Sequence, residues 1–161
     1  DIVKESIFNL LLHSKKLNFD VENSIVLDLF SGSGSFGIEC ISRGAEKVIF
    51  LEQHPEALKS LEKNLNLLKE IKNYSIIKDN FFDFFSSVKD LDFKFNLIFI
   101  DPPYKEKKIN EIIEIILEKK LLLENGVIII HRHKNDDITL TSKINIFEKR
   151  IYGLSKILFG N

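Results

Sequence analysis

Several residue types are rare or absent in this chain of 161 residues. It contains no methionine, no tryptophan, three prolines and one cysteine, Cys40. One cysteine excludes an internal disulfide and is typical of a reducing compartment, so we expect a cytoplasmic protein. No apolar run reaches the length of a membrane span, which predicts that the chain has no membrane partner.

The chain also lacks an excess of charge of either sign, since its net charge is −1. Any contact with a nucleic acid would therefore need a local basic patch. With 44% hydrophobic and 29% charged residues, the composition is that of a globular domain. Because methionine is absent and an amphipathic pattern already starts at Asp1, we expect one domain over 1–161 that lacks a short N-terminal segment of the gene product.

Short apolar runs alternate with stretches of helical period. The apolar runs predict strands at residues 24–30, 47–51, 74–78, 95–100 and 127–131. Strands that are apolar on both faces and alternate with helices predict an α/β fold. The expected architecture is a doubly wound, mostly parallel sheet with helices on both faces. From residue 144 two strand-like runs flank Tyr152 and Gly153, which predicts an antiparallel hairpin that closes the sheet.

A glycine-rich loop follows the first strand. In SGSGSFG, the residues Gly32, Gly34 and Gly37 have the G-x-G-x-x-G spacing, which lets the backbone turn sharply and approach a ligand at a helix N-terminus. Glu52 ends the second strand and can accept both ribose hydroxyls of a nucleoside. The combination does not distinguish NAD from S-adenosylmethionine, and a tight turn with a surface glutamate would fit it too.

The third strand runs into KDNFF, which has two interpretations. Asp79 could accept a hydrogen bond from an adenine amino group while Phe81 packs on the ring. Alternatively, Asp79 or Asn80 caps the next helix and Phe81 lies in the core. The sequence leaves both open.

The fourth strand, FNLIFI, ends directly in Asp101-Pro102-Pro103-Tyr104, which we call the ledge. Prolines cannot continue a strand ladder, but they restrict the backbone. In doubly wound sheets ligands bind beyond the carboxyl ends of the strands. There the Asp101 carboxylate and the Pro102 carbonyl could accept both N–H bonds of an exocyclic amine, while Tyr104 stacks on the base. The alternative is a Pro-Pro turn with Tyr104 as a core aromatic.

Taken together, VLDLFSGSGSFGIE, FLEQ, KDNFFDF and FIDPPY resemble class I S-adenosylmethionine-dependent methyltransferases that act on exocyclic amines. The opening DIVKESIFNLL and the phrase SRGAEKVIFLE narrow the resemblance to the bacterial 16S rRNA guanine-N2-methyltransferase (RsmD) family, and it continues to KRIYGLSKILF. This resemblance implies a seven-stranded sheet of order 3-2-1-4-5-7-6 with strand 7 antiparallel. It implies S-adenosylmethionine as cofactor and guanine N2 of 16S rRNA as target, in the 30S subunit or an assembly intermediate. We expect a monomer.

The resemblance also implies a role for each site residue, and no metal. The catalytic residues are those of the ledge: Asp101, Pro102, Pro103 and Tyr104. The cofactor-binding residues run from the methionine end through the ribose to the adenine, with Asp101 beside the transferred group: Asp28, Phe30, Ser31, Gly32, Gly34, Glu52, Gln53, Asp79, Asn80, Phe81 and Asp101.

Where the family often has an acid after the fifth strand, this chain has His131-Arg132-His133-Lys134. Alternation along a strand puts the two histidines on one side and Arg132 on the other. The cluster could be a solvated strand end, an RNA phosphate contact or a metal site. A second basic group, formed by Lys105, Lys107 and Lys108, could contact phosphates or simply begin a solvated helix.

Three other functions remain open from the sequence. The first is an amino methyltransferase acting on adenine N6 of DNA or RNA, or on another amide or amine, because the ledge alone does not exclude these targets. The second is an NAD-binding oxidoreductase, although no Tyr-x-x-x-Lys motif or His/Asp pair for hydride transfer is evident in the sequence. The third is a non-catalytic binding module, against which the intact ledge argues.

Overall fold

The structure is a computed structural model that describes residues 1–17, 19–88 and 94–161. Helices and strands alternate along the chain, in the order α1 (Ile2–His13), β1 (Ile25–Leu29), α2 (Ser35–Ser42), β2 (Lys47–Leu51), α3 (Pro55–Asn66), β3 (Tyr74–Ile77), α4 (Phe81–Ser87), β4 (Phe95–Ile100), α5 (Ile109–Glu118), β5 (Leu122–His133), β6 (Ile146–Tyr152) and β7 (Ser155–Gly160). The strands form one seven-stranded sheet of order β3-β2-β1-β4-β5-β7-β6. Strands β1 to β5 are parallel, and β7 is antiparallel to both β5 and β6. The predicted fold class and strand order are confirmed.

The strand boundaries agree with the prediction for β2 and β4 and differ by one or more residues in the other predicted strands. Strands β2 and β4 have the predicted bounds. Strand β1 stops before Phe30, whose φ of 59° turns the chain out of the sheet. Strand β5 starts at Leu122 rather than at residue 127, because Leu122 pairs with Phe95 across a register shift.

The core consists of two layers, one on each face of the sheet. The first layer joins α1, α2 and α3 to alternate strand residues such as Val26, Val48 and Phe50. The second joins α4 and α5 to the intervening residues, such as Leu27 and Ile49. Alternation of side chains along each strand sends apolar groups to both layers. None of the helices in the described ranges is long and apolar enough to cross a membrane.

Helix α2 lies so close to β2 that only glycine fits at position 37. A Cβ placed on Gly37 would lie 2.4 Å from the ring of Phe50 and 2.9 Å from a methyl group of Val48. Gly34, the residue before α2, has a φ of 82°, in the left-handed region that favours glycine. These two glycines seat the N-terminus of α2 directly over the loop that leaves β1.

The close approach predicts that Gly37→Ala destabilises the fold by about 1–3 kcal/mol, because the added methyl group forces α2 away from β2. Urea denaturation of the two proteins measures this change. Ser42→Ala is the matched control, because Ser42 is exposed at the other end of the same helix and its replacement is expected to change stability little. Equal denaturation midpoints for Gly37→Ala and the wild type would contradict the interpretation.

Candidate active site

The loops that follow β1, β2 and β4 meet at one edge of the sheet. Leu29 at the end of β1 pairs with Leu51 of β2 and with Ile100 of β4. The backbone N–H of Asp101 also lies 3.5 Å from the carbonyl oxygen of Leu29. The structure therefore brings together the glycine loop, Glu52 and the ledge.

The Glu52 carboxylate binds the glycine loop to the end of β2. Its Oε1 accepts a hydrogen bond from the backbone N–H of Gly32 at 2.8 Å, while Oε2 accepts from Gln53 at 2.8 Å and from His54 at 3.0 Å. Glu52 is only 5% exposed. Sequence analysis missed this structural role, because bonds to backbone N–H groups leave no residue pattern. A carboxylate has about four acceptor positions, so the bonds to the loop leave capacity for a ribose hydroxyl.

Ser31 joins the same loop to both neighbouring strands. Its hydroxyl donates to the carbonyl of Asp28 at 2.6 Å, and the carbonyl oxygen of Leu51 lies 3.2 Å from the same hydroxyl oxygen. The backbone N–H of Ser31 donates to the Leu51 carbonyl at 3.1 Å. These bonds support the left-handed backbone of Phe30. The loop is consequently held by hydrogen bonds to both neighbouring strands.

Asp28 is a buried acid beneath the loop, 1% exposed. Burial raises the pKa of its carboxyl group well above the ordinary value, and the nearby charges of Asp101 and Glu52 add to the effect. The backbone N–H of Gly37, which donates to Asp28 Oδ2 at 3.0 Å, opposes it only in part. Folding therefore favours the protonated form of Asp28 relative to the unfolded chain.

In the segment KDNFF that follows β3, Asn80 caps the next helix and Phe81 lies in the core, which is the second of the two interpretations given above. Asn80 caps α4, since its side-chain oxygen accepts from Phe82 N–H at 2.8 Å and from Asp83 N–H at 3.4 Å. Phe81 is 1% exposed and packs at a ring-centroid distance of 4.7 Å on Phe85. The prediction that the Phe81 side chain packs on an adenine ring is wrong, because the helix cap turns that ring into the core.

The polar neighbours of Phe81 remain at the edge of the site. Asp79 Oδ1 accepts from the backbone N–H of Asn80 at 2.8 Å. The side-chain amide of Asn80 lies 3.5 Å from Gln53 Oε1. Gln53, Asp79 and Asn80 thus come together between the ends of β2 and β3.

The ledge presents polar groups and an aromatic ring to solvent. Pro102 is buried, whereas Tyr104 is 65% exposed. The alternative of Tyr104 as a core aromatic is therefore wrong. The Pro103 carbonyl accepts from Glu106 N–H at 2.8 Å, while the carbonyl of Pro102 has no hydrogen-bond partner among the described residues.

The basic run at the end of β5 contains one histidine beside the ledge and one buried arginine. His131 lies beside the ledge, with Nδ1 3.1 Å from Asp101 Oδ1. Arg132 points to the opposite side, where its side chain is 4% exposed and its guanidinium pairs with Asp136 at 2.5 Å. A solvated or phosphate-binding Arg132 is therefore a wrong prediction. Within residues 1–17, 19–88 and 94–161, no group of three His, Cys, Asp or Glu side chains could hold a metal ion.

Two cavities adjoin the ledge and share one wall. The first, of about 320 Å³, lies against α1 and the glycine loop and is lined by polar and aromatic residues that include Lys4, Asp28, Phe30, Ser31, Phe36 and Phe99. The second, of about 280 Å³, lies on the outer side and is lined by Pro102, Tyr104, Arg132, His133 and Leu154. Asp101, His131 and Ser155 line both cavities. Sequence analysis assigned no site residue to α1, because the contact of α1 with this edge exists only in the folded chain.

Four features define a class I methyltransferase domain. They are a doubly wound sheet with this strand order, a glycine loop after β1, an acid after β2 and a Pro-Pro ledge after β4. The chain belongs to the family described as conserved hypothetical protein 95, whose model matches residues 1–161. The resemblance to the RsmD family is thereby confirmed.

Similar proteins agree with this assignment. The chain is 30% identical over 155 residues to a Haemophilus influenzae protein named ribosomal RNA small subunit methyltransferase D, covering 96% of this chain and 77% of that protein. It is 33% identical over 158 residues to YlbH of Bacillus subtilis, which is named as a candidate rRNA methyltransferase, covering 98% of this chain and 83% of that one. A solved structure of a conserved hypothetical protein from Streptococcus pyogenes superposes with a TM-score of 0.81 at 27% identity. That match covers 98% of this chain and 94% of the other.

The buried acid generates a prediction about pH. Because the pKa of Asp28 is raised in the folded state, the folded protein keeps a proton that the unfolded chain loses above about pH 4. The contribution of Asp28 to the free energy of unfolding should therefore fall as pH rises above about 4. Asp28→Asn keeps an oxygen for Gly37 N–H but does not ionise, so its stability relative to the wild type should increase as pH rises above about 4.

Urea denaturation of the ligand-free proteins at several pH values measures this difference. Asp137→Asn serves as the matched control, because Asp137 is exposed, and its stability curve should run parallel to that of the wild type. A constant difference between Asp28→Asn and the wild type at all pH values would contradict the raised pKa.

Proposed function

We propose that this protein transfers a methyl group from S-adenosylmethionine to the exocyclic N2 amine of a guanine in 16S ribosomal RNA. The observation that carries the proposal is the position of the ledge. Asp101 lies in the wall between two cavities, so that it can contact a cofactor on one side and a base on the other. Methyl transfer requires the methyl donor and the amine to be held in contact and in line, and both cavities reach the same Asp101 side chain.

Residues in and beside the first cavity fit the proposed cofactor. Asp28 and Ser31 line the cavity and supply polar groups near the methionine end. Glu52, which accepts the Gly32 N–H of the adjoining loop, supplies acceptors for the ribose hydroxyls. Gln53, Asp79 and Asn80 surround the expected position of the adenine. A Cβ added at Gly32 would meet no atom within 4 Å, so the backbone there leaves open space for a ligand. When bound, S-adenosylmethionine supplies an electrophilic methyl group on a positively charged sulfur.

The ledge handles the target amine. Asp101 Oδ2 and the Pro102 carbonyl have no hydrogen-bond partner among the described residues, so they can accept the two N–H bonds of the amine. The nitrogen lone pair is then directed toward the first cavity, and Tyr104 is exposed for stacking on the base. The amine becomes acidic only as its new bond forms, and Asp101 or water accepts the proton. A paired guanine would have to be flipped out of its helix to reach this position.

The names of the relatives support ribosomal RNA as the substrate, and the guanine N2 target follows from the motif resemblance. Three exposed lysines next to the ledge, Lys105, Lys107 and Lys108, could contact RNA phosphates. The Lys107 ammonium already lies 5.5 Å from the centre of the Tyr104 ring. We propose that the protein acts as a monomer on the 30S subunit or on an assembly intermediate.

The test is to incubate the protein with methyl-labelled S-adenosylmethionine and unmodified 30S subunits, and then to digest the RNA to nucleosides. Label in N2-methylguanosine is the expected result. Asp101→Ala should lower turnover by about 10²- to 10³-fold, since a preorganised group at the reacting amine is lost, with the affinity for S-adenosylhomocysteine nearly unchanged by calorimetry. Label in N6-methyladenosine, or no label, would contradict the proposed target, and near-normal turnover of Asp101→Ala would contradict the role of the ledge.

Ligand-dependent melting tests the cofactor assignment separately. S-adenosylhomocysteine at about 100 times its Kd should raise the Tm of the wild type by about 5–10 °C, whereas NAD should not. Glu52→Ala should lose this shift and have a lower Tm without ligand, because the carboxylate also holds the glycine loop. Glu62→Ala, which removes only a partly exposed ion pair with Lys78, should keep the shift. Stabilisation by NAD would instead support the oxidoreductase alternative.

A further inference from the structure

His131 lies in a row of three polar side chains that separates the two cavities. Its Nδ1 is 3.1 Å from Asp101 Oδ1, and its Nε2 is 2.8 Å from Ser155 Oγ. The three residues come from different parts of the sheet: Asp101 follows β4, His131 is near the end of β5, and Ser155 begins the antiparallel β7. The row therefore exists only because β7 lies next to β5.

The chemistry of the two contacts determines which imidazole nitrogen carries the proton. An ionised carboxylate can only accept hydrogen bonds, so Nδ1 must donate to Asp101. In neutral imidazole Nε2 then has a lone pair, and the Ser155 hydroxyl donates to it. Asp101 thus selects the tautomer with Nδ1–H, and Ser155 orients the ring by its hydrogen bond at Nε2.

Two basic side chains that line these cavities, Arg132 and Lys4, are engaged elsewhere. The Arg132 guanidinium is bound to Asp136, and the Lys4 ammonium lies 3.2 Å from Ser35 Oγ. Among the described residues, His131 is consequently the side chain that contacts the Asp101 carboxylate. It binds Oδ1, and Oδ2 is left without a partner.

An aspartate carboxylate that nothing holds can rotate, because its terminal torsion is broad. The side chain of Asp101 is 44% exposed, so packing alone does not restrict it. We propose that His131, oriented by Ser155, is a positioning residue that fixes the Asp101 carboxylate so that Oδ2 faces the target amine. This role rests on the proposed function, since it is the amine that Oδ2 would receive.

The tautomer of His131 can be measured without any turnover. Nitrogen-15 NMR of the cofactor-free protein, labelled on histidine side chains, should show the neutral ring of His131 protonated at Nδ1. In Asp101→Ala the ring should revert to protonation at Nε2, which free imidazole side chains prefer. The exposed His13 serves as an internal reference in both proteins. Protonation of His131 at Nε2 in the wild type would overturn the proposal.

Kinetics then tests the positioning role. His131→Ala should lower kcat by about tenfold to a hundredfold with unchanged affinity for S-adenosylhomocysteine, because the carboxylate is free to rotate. His131→Asn should recover most of the loss, since its amide N–H can take the place of Nδ1–H. His13→Ala, remote from both cavities, should behave as the wild type.

The outcomes separate the two proposals. Wild-type turnover by His131→Ala, or equal losses in the alanine and asparagine variants, would overturn the positioning role while the methyl transfer itself still stands. A wild-type protein that methylates no RNA would overturn the proposed function and this role with it, even where the NMR signature is present.

Discussion

The candidate site depends on one buried carboxylate. Glu52 receives hydrogen bonds from Gly32, Gln53 and His54, so it holds the turn after β1 against the turn after β2. Bonds from backbone N–H groups to an ionised acceptor are among the stronger ones in proteins. With the loop held in this way, the N-terminus of α2, the Phe30 turn and the floor at Asp28 are all placed before any ligand arrives. A site that is formed in advance loses less free energy to ordering when it binds.

The second constraint is the antiparallel strand at the end of the chain. Strand β7 pairs with β5 in the opposite direction, and this pairing brings the start of β7 to the edge where the parallel strands end. Ser155 therefore meets His131, and His131 meets Asp101. The wall between the two cavities is built from three segments that are well separated along the chain. Asp101 in this wall lines both cavities, so a ligand on either side can approach its carboxylate.

The errors of the sequence-based predictions have a common cause. Phe81 and Arg132 both belong to segments correctly placed near the site, but their side chains are buried. For Phe81, the Asn80 cap starts a helix whose first residue points into the second core layer. For Arg132, strand alternation was recognised, but the buried partner Asp136 was not, because the turn after β5 that brings Asp136 back is not visible in a linear pattern. The pKa of Asp136 lies below its ordinary value in the folded protein. Burial raises this pKa, but the hydrogen bond from Ile138 N–H and the Arg132 guanidinium lower it by more.

The sequence by itself determined the fold class, the strand order through its family motifs, and the residues that follow β1, β2 and β4. These features are local, since apolar periodicity, glycine spacing and prolines act on the backbone within a few residues of themselves. Only the tertiary structure decided which of those side chains face the site. It also decided that Glu52 holds a loop, that α1 closes a cavity and that His131 contacts Asp101. Those contacts join distant segments, and their geometry follows from sheet register and from layer packing, neither of which a single segment encodes.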